Sequence, residues 1–129
     1  MTCRDGREPE TGTRGGSRLA EAIRAQTDRL AAQSVALRGV KCMSQCKRPC
    51  IVSLSQDDKF TYVFGDLDPN ESANTGALLE LVERYNKAPE GFLERAARPE
   101  LLRANILGRF PPLGSASPLV SRLGPVAAE

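Results

Sequence analysis

The chain has 129 residues, of which 40% are hydrophobic and 26% are charged, as is ordinary for one globular domain. A net charge of +2, the lack of tryptophan and a content of only two tyrosines and four phenylalanines argue against a nucleic-acid-binding protein. The absence of histidine excludes Rieske clusters, His-containing zinc sites and Ser-His or Cys-His catalytic pairs within one chain.

The sequence shows neither a transmembrane segment nor a secretory signal. No apolar run approaches the roughly 20 residues that a transmembrane helix needs, and the N-terminus lacks the apolar stretch of a secretory signal. We therefore expect a cytoplasmic protein with no membrane partner. In that compartment a group of cysteines more often indicates metal or redox chemistry than structural disulfides.

The first predicted elements are a helix and a short strand. Ser17 suits a helix N-cap, and apolar residues recur at helical spacing from Leu19 to Ala31. This pattern predicts one amphipathic helix of about four turns. Residues 34–40 (SVALRGV) then predict a short strand that leads directly into a group of cysteines.

A hairpin and a second helix are predicted in the middle of the chain. Apolar residues alternate with polar or smaller ones over residues 52–55 and again over residues 60–64, which predicts two paired strands joined by a turn at residues 57–59. A helix is predicted over residues 72–87, where leucines recur at helical spacing.

The C-terminal third gives weaker signals. Residues 99–107 predict a short helix that ends at the prolines of residues 111 and 112. Residues 114–129 predict a disordered tail, because they are rich in small residues and proline. We therefore assign one metal-binding domain to residues 1–113 and a tail to residues 114–129.

The segment KCMSQCKRPC, residues 41–50, carries three of the four cysteines. Cys42, Cys46 and Cys50 stand at a four-residue interval, which would place them on one helical face. Pro49 argues against a helix through Cys50, because proline lacks the amide donor and clashes with the preceding turn. We therefore expect a loop that directs its thiols towards one point.

The cations in this segment suit a thiolate site. Four thiolates around Zn(II), or around an oxidised 2Fe–2S core, leave a net charge of about −2. Lys41, Lys47 and Arg48 can offset that charge around the ligands. The spacing alone leaves open an iron–sulfur cluster, a structural zinc site, buried apolar cysteines and a thiol oxidoreductase. The absence of a CxxC motif weakens the zinc and oxidoreductase interpretations.

Three separated motifs carry a resemblance to a known family. The stretches KCMSQCKRPC, TYVFGDLDP and RPELLRANILGRFPP resemble the bacterial family called domain of unknown function 1636, over nearly all of residues 3–113. Members of that family are described as predicted metal-binding proteins and are similar to thioredoxin-like 2Fe–2S ferredoxins. The resemblance implies an α/β thioredoxin-like sandwich, with helices on both faces of a small mixed sheet.

The resemblance also implies a set of ligands. Cys3 matches the second member of an N-terminal cysteine pair, Cys42 and Cys46 match a later pair, and Cys50 matches a third cysteine typical of the family. Family members usually begin with an apolar strand that ends in a first cysteine, whereas this sequence opens MTCRDG. The resemblance thus implies a missing or truncated first strand, supplied either by an upstream start or by another chain. Cys50 is then the candidate fourth ligand.

Four further residues have an ordinary structural interpretation beside a functional one. Asp66 and Asp68 could bind a hard cation, but such pairs more often form turns and helix caps. Tyr62 could tune a nearby cluster, but its strand position favours packing. Arg98 belongs to a family motif of no known role, and we assign it to packing.

Together these features predict a protein that is not an enzyme, but a 2Fe–2S electron carrier or redox sensor with a protein redox partner. The alternative is a Cys-ligated zinc or soft-metal protein with a structural or metal-handling role. A thiol oxidoreductase is a third hypothesis. An exposed hairpin edge makes a homodimer a further expectation.

Overall fold

The computed structural model describes residues 15–40 and 42–124 of the chain. These residues form a small α/β arrangement of three α-helices and one three-stranded sheet. The helices are α1 (Gly15–Arg24), α2 (Thr27–Ala32) and α3 (Ser72–Lys87), and the strands are β1 (Val52–Leu54), β2 (Thr61–Phe64) and β3 (Ile106–Phe110). Two short 3-10 helices, Arg95–Ala97 and Glu100–Leu102, lie between α3 and β3.

The predicted hairpin is confirmed, and its second strand is the centre of the sheet. β1 pairs with β2 in antiparallel register, with Val52 opposite Phe64 and Leu54 opposite Tyr62. Tyr62 and Phe64 are fully buried, while Thr61 and Val63, which alternate with them along the strand, are half-buried. This two-residue period places the aromatic residues on the core face, which α3 covers, since the rings of Tyr62 and Tyr85 meet edge to face at 6.0 Å.

The third strand corrects the helix predicted over residues 99–107. Only Glu100–Leu102 forms a 3-10 helix there, and Ile106–Phe110 pairs with β2 in antiparallel register instead. The register shifts between Val63 and Phe64, where β3 accommodates an extra residue. Local periodicity could not reveal a strand whose partner lies far earlier in the chain. All pairings in the described sheet are antiparallel, whereas the resemblance implied a mixed sheet.

The first predicted helix is interrupted and becomes α1 and α2. The amide of Gln26 bonds to the carbonyl of Ile23, which tightens the last turn, and Gln26 then caps a new helix. Asp28 lies in the first turn of α2, where a carboxylate favours a helix start. Leu19 and Ile23 of α1 are buried one turn apart.

The strand predicted over residues 34–40 is wrong. Residues 35–40 form neither helix nor strand, and most of them are exposed, including Leu37 and Val40. Ser34 has a left-handed φ of 55°, which turns the chain away from α2. A strand needs a paired neighbour, and no strand of the described ranges lies beside this segment. The position of the implied first strand falls on residues outside the described ranges.

Helix α3 is the longest helix and has the predicted bounds. It buries one face against the sheet and α1, with the buried side chains Thr75, Ala77, Leu78, Leu79, Leu81 and Tyr85. The carboxylate of Glu83 binds Arg29 at 2.9 Å, which holds α2 against the helix. In the part of the chain that the structure describes, no helix has both the length and the apolar character needed to cross a bilayer.

Residues 114–124 contain no helix or strand, and Ser117 is buried among them. Residues 125–129 of the predicted tail lie outside the described residues. The disorder of residues 114–129 and the domain boundary at residue 113 stay predictions.

Candidate metal-binding loop

The cysteine segment forms a loop, as Pro49 led us to expect. Residues 42–50 contain neither helix nor strand. Cys42, Cys46 and Cys50 form no disulfide with one another, but their surroundings differ: Cys42 and Cys46 are exposed, whereas Cys50 is 1% exposed. The loop therefore presents two of its three sulfurs to solvent.

The backbone of the loop curls onto the sulfur of Cys42. The amide of Ser44 donates a hydrogen bond to Cys42 Sγ at 3.4 Å. Ser44 adopts a left-handed φ of 55°, which bends the chain at this point. Amide donors directed at a sulfur stabilise negative charge on it and tune the potential of thiolate-bound metals. Cys42 is therefore already placed in a setting that suits a thiolate ligand.

Cys50 belongs to the core. Its amide donates to the carbonyl of Leu67 at 3.2 Å, and the amide of Leu67 donates back to the carbonyl of Cys50 at 3.4 Å. Its side chain is part of the same buried cluster as Tyr62 and Phe64. For Cys50 to act as a ligand at the surface, this paired segment would have to open.

The described residues do not converge on a complete site. Within residues 15–40 and 42–124, no group of three or more cysteines and carboxylates is placed to hold one metal ion. The loop thus supplies Cys42 and Cys46 as a surface pair without a third described ligand. Cys3 and Lys41, which the sequence also predicted for the site, lie outside the described residues.

The cations next to the cysteines have different surroundings. Lys47 is exposed. Arg48 forms an ion pair with Asp66, with its Nε 2.7 Å and its Nη2 2.5 Å from Asp66 Oδ2. This carboxylate neutralises much of the charge that Arg48 could offer to nearby thiolates. Lys47 is thus the better placed of the two to compensate an anionic centre.

A second segment, residues 65–67, clamps the cysteine loop. The amide of Asp66 donates to the carbonyl of Arg48 at 2.9 Å. At Gly65 a Cβ would lie 2.8 Å from Arg48 O and 2.9 Å from Leu107 Cδ1, so only glycine fits. We did not predict this role from the sequence. The glycine that ends strand β2 in the FGDLDP stretch is the one signal that could have indicated a close backbone approach.

The two aspartates of this stretch act in local structure. Asp66 binds Arg48 and has a left-handed φ of 57°. Asp68 Oδ1 accepts a hydrogen bond from the amide of Asn70 at 2.9 Å, which forms a turn before α3. Both contacts support the turn interpretation over a magnesium site.

Tyr62 packs in the core, as predicted. Its ring stacks on Phe64 at 6.1 Å, and its hydroxyl accepts a hydrogen bond from the amide of Leu93 at 2.6 Å. Because its polar atom has a main-chain partner, burial of the ring leaves no unpaired group there.

The comparisons with known proteins give one family. A family model described as protein of unknown function (DUF1636) matches residues 1–112. No curated protein and no solved structure matches the chain. The family match spans the described core together with the cysteine loop, and it confirms the resemblance carried by the three motifs. The chain therefore belongs to the DUF1636 family.

Proposed function

We propose that this protein binds a 2Fe–2S cluster through cysteine thiolates and acts as an electron carrier or redox sensor. The observation that carries the proposal is the exposed pair Cys42 and Cys46, with the amide of Ser44 directed at Cys42 Sγ. Cysteine thiolates are the ligands that such clusters use, and main-chain donors on the sulfurs tune their reduction potential.

The proposed ligands are Cys3, Cys42 and Cys46, with Cys50 as the fourth. Cys42 and Cys46 are exposed and need no change in the described core. Recruitment of Cys50 requires its bonds to Leu67 to open. Alternatively, a second copy of the chain would supply the fourth ligand, and the protein would then be a homodimer.

Electron exchange is favoured by the position of the ligands at the surface. Electron transfer requires a centre close to a partner, and Cys42 and Cys46 are exposed. Lys47 lies beside them and would offset the net negative charge of the cluster. We propose a protein redox partner, a cytoplasmic location and no substrate turnover. The β1–β2 hairpin followed by α3 supports a thioredoxin-like arrangement as part of this proposal.

The test is purification without oxygen, followed by measurement of iron, acid-labile sulfide and zinc. We expect a red-brown protein with thiolate-to-iron absorption and equal amounts of iron and sulfide. A colourless protein with stoichiometric zinc would favour the alternative, a Cys-ligated zinc protein. A colourless, metal-free protein after reconstitution with iron and sulfide would overturn both.

Single cysteine variants then identify the ligands. Cys42→Ser and Cys46→Ser should lose the cluster, and Cys3→Ser should lose or weaken it. Cys50→Ala decides the fourth ligand, because alanine tests the sulfur without placing a hydroxyl in the core. An intact cluster in Cys50→Ala would refute its role as a ligand. An intact cluster in both Cys42→Ser and Cys46→Ser would refute the proposed site.

A further inference from the structure

A group of arginines lies around residues 93–103, where guanidinium groups bind main-chain carbonyls. Arg103 Nε donates to the carbonyl of Arg98 at 3.1 Å, and Arg95 Nη1 donates to the carbonyl of Arg103 at 3.2 Å. Arg109 of β3 donates from Nη1 to the carbonyl of Leu93 at 3.4 Å. Each of these contacts uses a neutral acceptor, so these contacts within the described ranges leave the positive charges of the group uncompensated.

Arg98 is the buried member of this group. Its side chain is 5% exposed, and its Nη1 lies 3.5 Å from the carbonyl of Leu93. Its Nε is buried, and no atom of the described residues accepts a hydrogen bond from it. A buried guanidinium normally has a carboxylate or several acceptors, because desolvation of an unpaired charge costs several kcal/mol. Among the described residues, Arg98 thus keeps a charged donor without an acceptor.

Three arginines elsewhere in the described residues show the usual arrangement. Arg29, Arg48 and Arg84 each pair with a carboxylate. By contrast, Arg95, Arg98, Arg103 and Arg109 have no carboxylate within ion-pair distance in the two described ranges. Glu94 and Glu100, on the same segment, are exposed and do not pair with them. These four arginines thus lie near one another without a carboxylate partner among the described residues.

The group is close enough for its charges to interact. Arg98 and Arg109 both approach the carbonyl oxygen of Leu93. Burial lowers the pKa of Arg98, and the charges of Arg109, Arg95 and Arg103 lower it further. The Arg109 guanidinium lies over the ring of Phe92, 4.1 Å from its centroid, which fixes the plane of its donors.

We propose that Arg98, Arg103 and Arg109 bind the phosphate group of a small molecule. Guanidinium forks match phosphate geometry and bind it through paired charge-assisted hydrogen bonds. Several uncompensated cations suit a group with a charge near −2 better than a single carboxylate. This site uses the RPELLRANILGRFPP motif, and it does not rest on metal binding by the cysteine loop.

The test titrates inorganic phosphate into the full chain labelled with nitrogen-15, and follows the arginine Nε–H signals. We expect phosphate to shift the Arg98 and Arg103 signals and to raise the melting temperature more than chloride at equal ionic strength. Binding should weaken as the pH falls through the second pKa of inorganic phosphate, where the dianion takes up a proton and loses one negative charge. Acetate, as a carboxylate probe, should have a smaller effect.

Variants make the proposal falsifiable even if replacement of Arg98 prevents folding. Arg103→Gln and Arg109→Gln should each weaken phosphate binding by about tenfold or more, the loss expected for one charge-assisted hydrogen bond. Arg38→Gln is the matched control, since Arg38 is exposed and lies outside the group.

Three outcomes would overturn the proposal. The first is the absence of any signal shift with phosphate, and the second is an effect that chloride or acetate reproduces in full. The third is equal phosphate affinity in Arg103→Gln, Arg109→Gln and the Arg38→Gln control.

Discussion

The hydroxyl of Tyr85 donates a hydrogen bond to the carbonyl oxygen of Phe60 at 2.6 Å, and both residues are buried. This contact ties α3 to the start of β2. Burial, and then the neighbouring Tyr62, raise the pKa of Tyr85 from 10.0 to about 12. The ionised phenolate is therefore disfavoured in the folded state.

The first prediction concerns alkaline stability. Because the pKa of Tyr85 is higher in the folded than in the unfolded state, its contribution to the free energy of unfolding is fully present below pH 10. That contribution is lost as the pH rises towards 12. The full loss would be about 3 kcal/mol. Tyr85→Phe should cost about 1–2 kcal/mol at neutral pH, through the lost hydrogen bond, and should flatten the alkaline decline. Urea unfolding from neutral to alkaline pH measures both effects, and equal pH profiles for the two proteins would contradict the prediction.

The second prediction concerns Gly65. Gly65→Ala should destabilise the protein by about 1–3 kcal/mol, because its Cβ would overlap the carbonyl of Arg48 and the side chain of Leu107. The matched control is Gly76→Ala in α3, where the same methyl group meets nothing within 4 Å. That change should stabilise the helix by about 0.5–1 kcal/mol. Denaturant unfolding distinguishes them, and the same sign for both changes would be inconsistent with the clamp on the cysteine loop.

The third prediction concerns the ion pair of Arg48 and Asp66. Asp66→Asn removes the charge, but asparagine still tolerates the left-handed φ of 57°. We expect a loss of less than about 1 kcal/mol that disappears at high salt, because the pair is partly exposed. Asp58→Asn is the control, since Asp58 also has a left-handed φ, of 62°, and is exposed. A salt-dependent loss of equal size in the control would refute the assignment to the ion pair.

The fourth prediction concerns the thiols of metal-free protein. Cys42 and Cys46 should react rapidly with an alkylating reagent, since both are exposed. Cys50 should react only as fast as its segment opens from Leu67, and mild denaturant should accelerate it. Peptide mapping by mass spectrometry gives the rate at each site. Labelling of Cys50 as fast as Cys46 under native conditions would contradict its place in the core.

Elements whose signal is local were predictable from the sequence. The period-two pattern of the β1–β2 hairpin and the helical spacing of α3 both reflect contacts between near neighbours, and both predictions are confirmed. Strand β3 was missed because its pairing with β2 is determined by tertiary contacts. For the same reason the strand predicted over residues 34–40 was wrong, since an apolar pattern does not supply a partner strand.

For the candidate site, the sequence predicted the loop conformation but not the surroundings of its side chains. Pro49 beside Cys50 pointed to a loop over the cysteine segment, and the loop is confirmed. The regular spacing made Cys50 as good a candidate ligand as Cys42 and Cys46, although the structure places Cys50 in the core. Its burial follows from the exchange of main-chain bonds with Leu67, a contact between segments that no cysteine spacing encodes. The pairing of Arg48 with Asp66 has the same non-local origin.

The position of the two tyrosines determines what ultraviolet spectroscopy of this protein reports. The chain has two tyrosines and no tryptophan, and Tyr62 and Tyr85 both lie in the core. Ultraviolet emission and near-ultraviolet circular dichroism in the aromatic range will therefore be dominated by the interior between β2 and α3. Loosening of the cysteine loop alone should leave those spectra almost unchanged, so a probe attached to the loop would be needed to detect it.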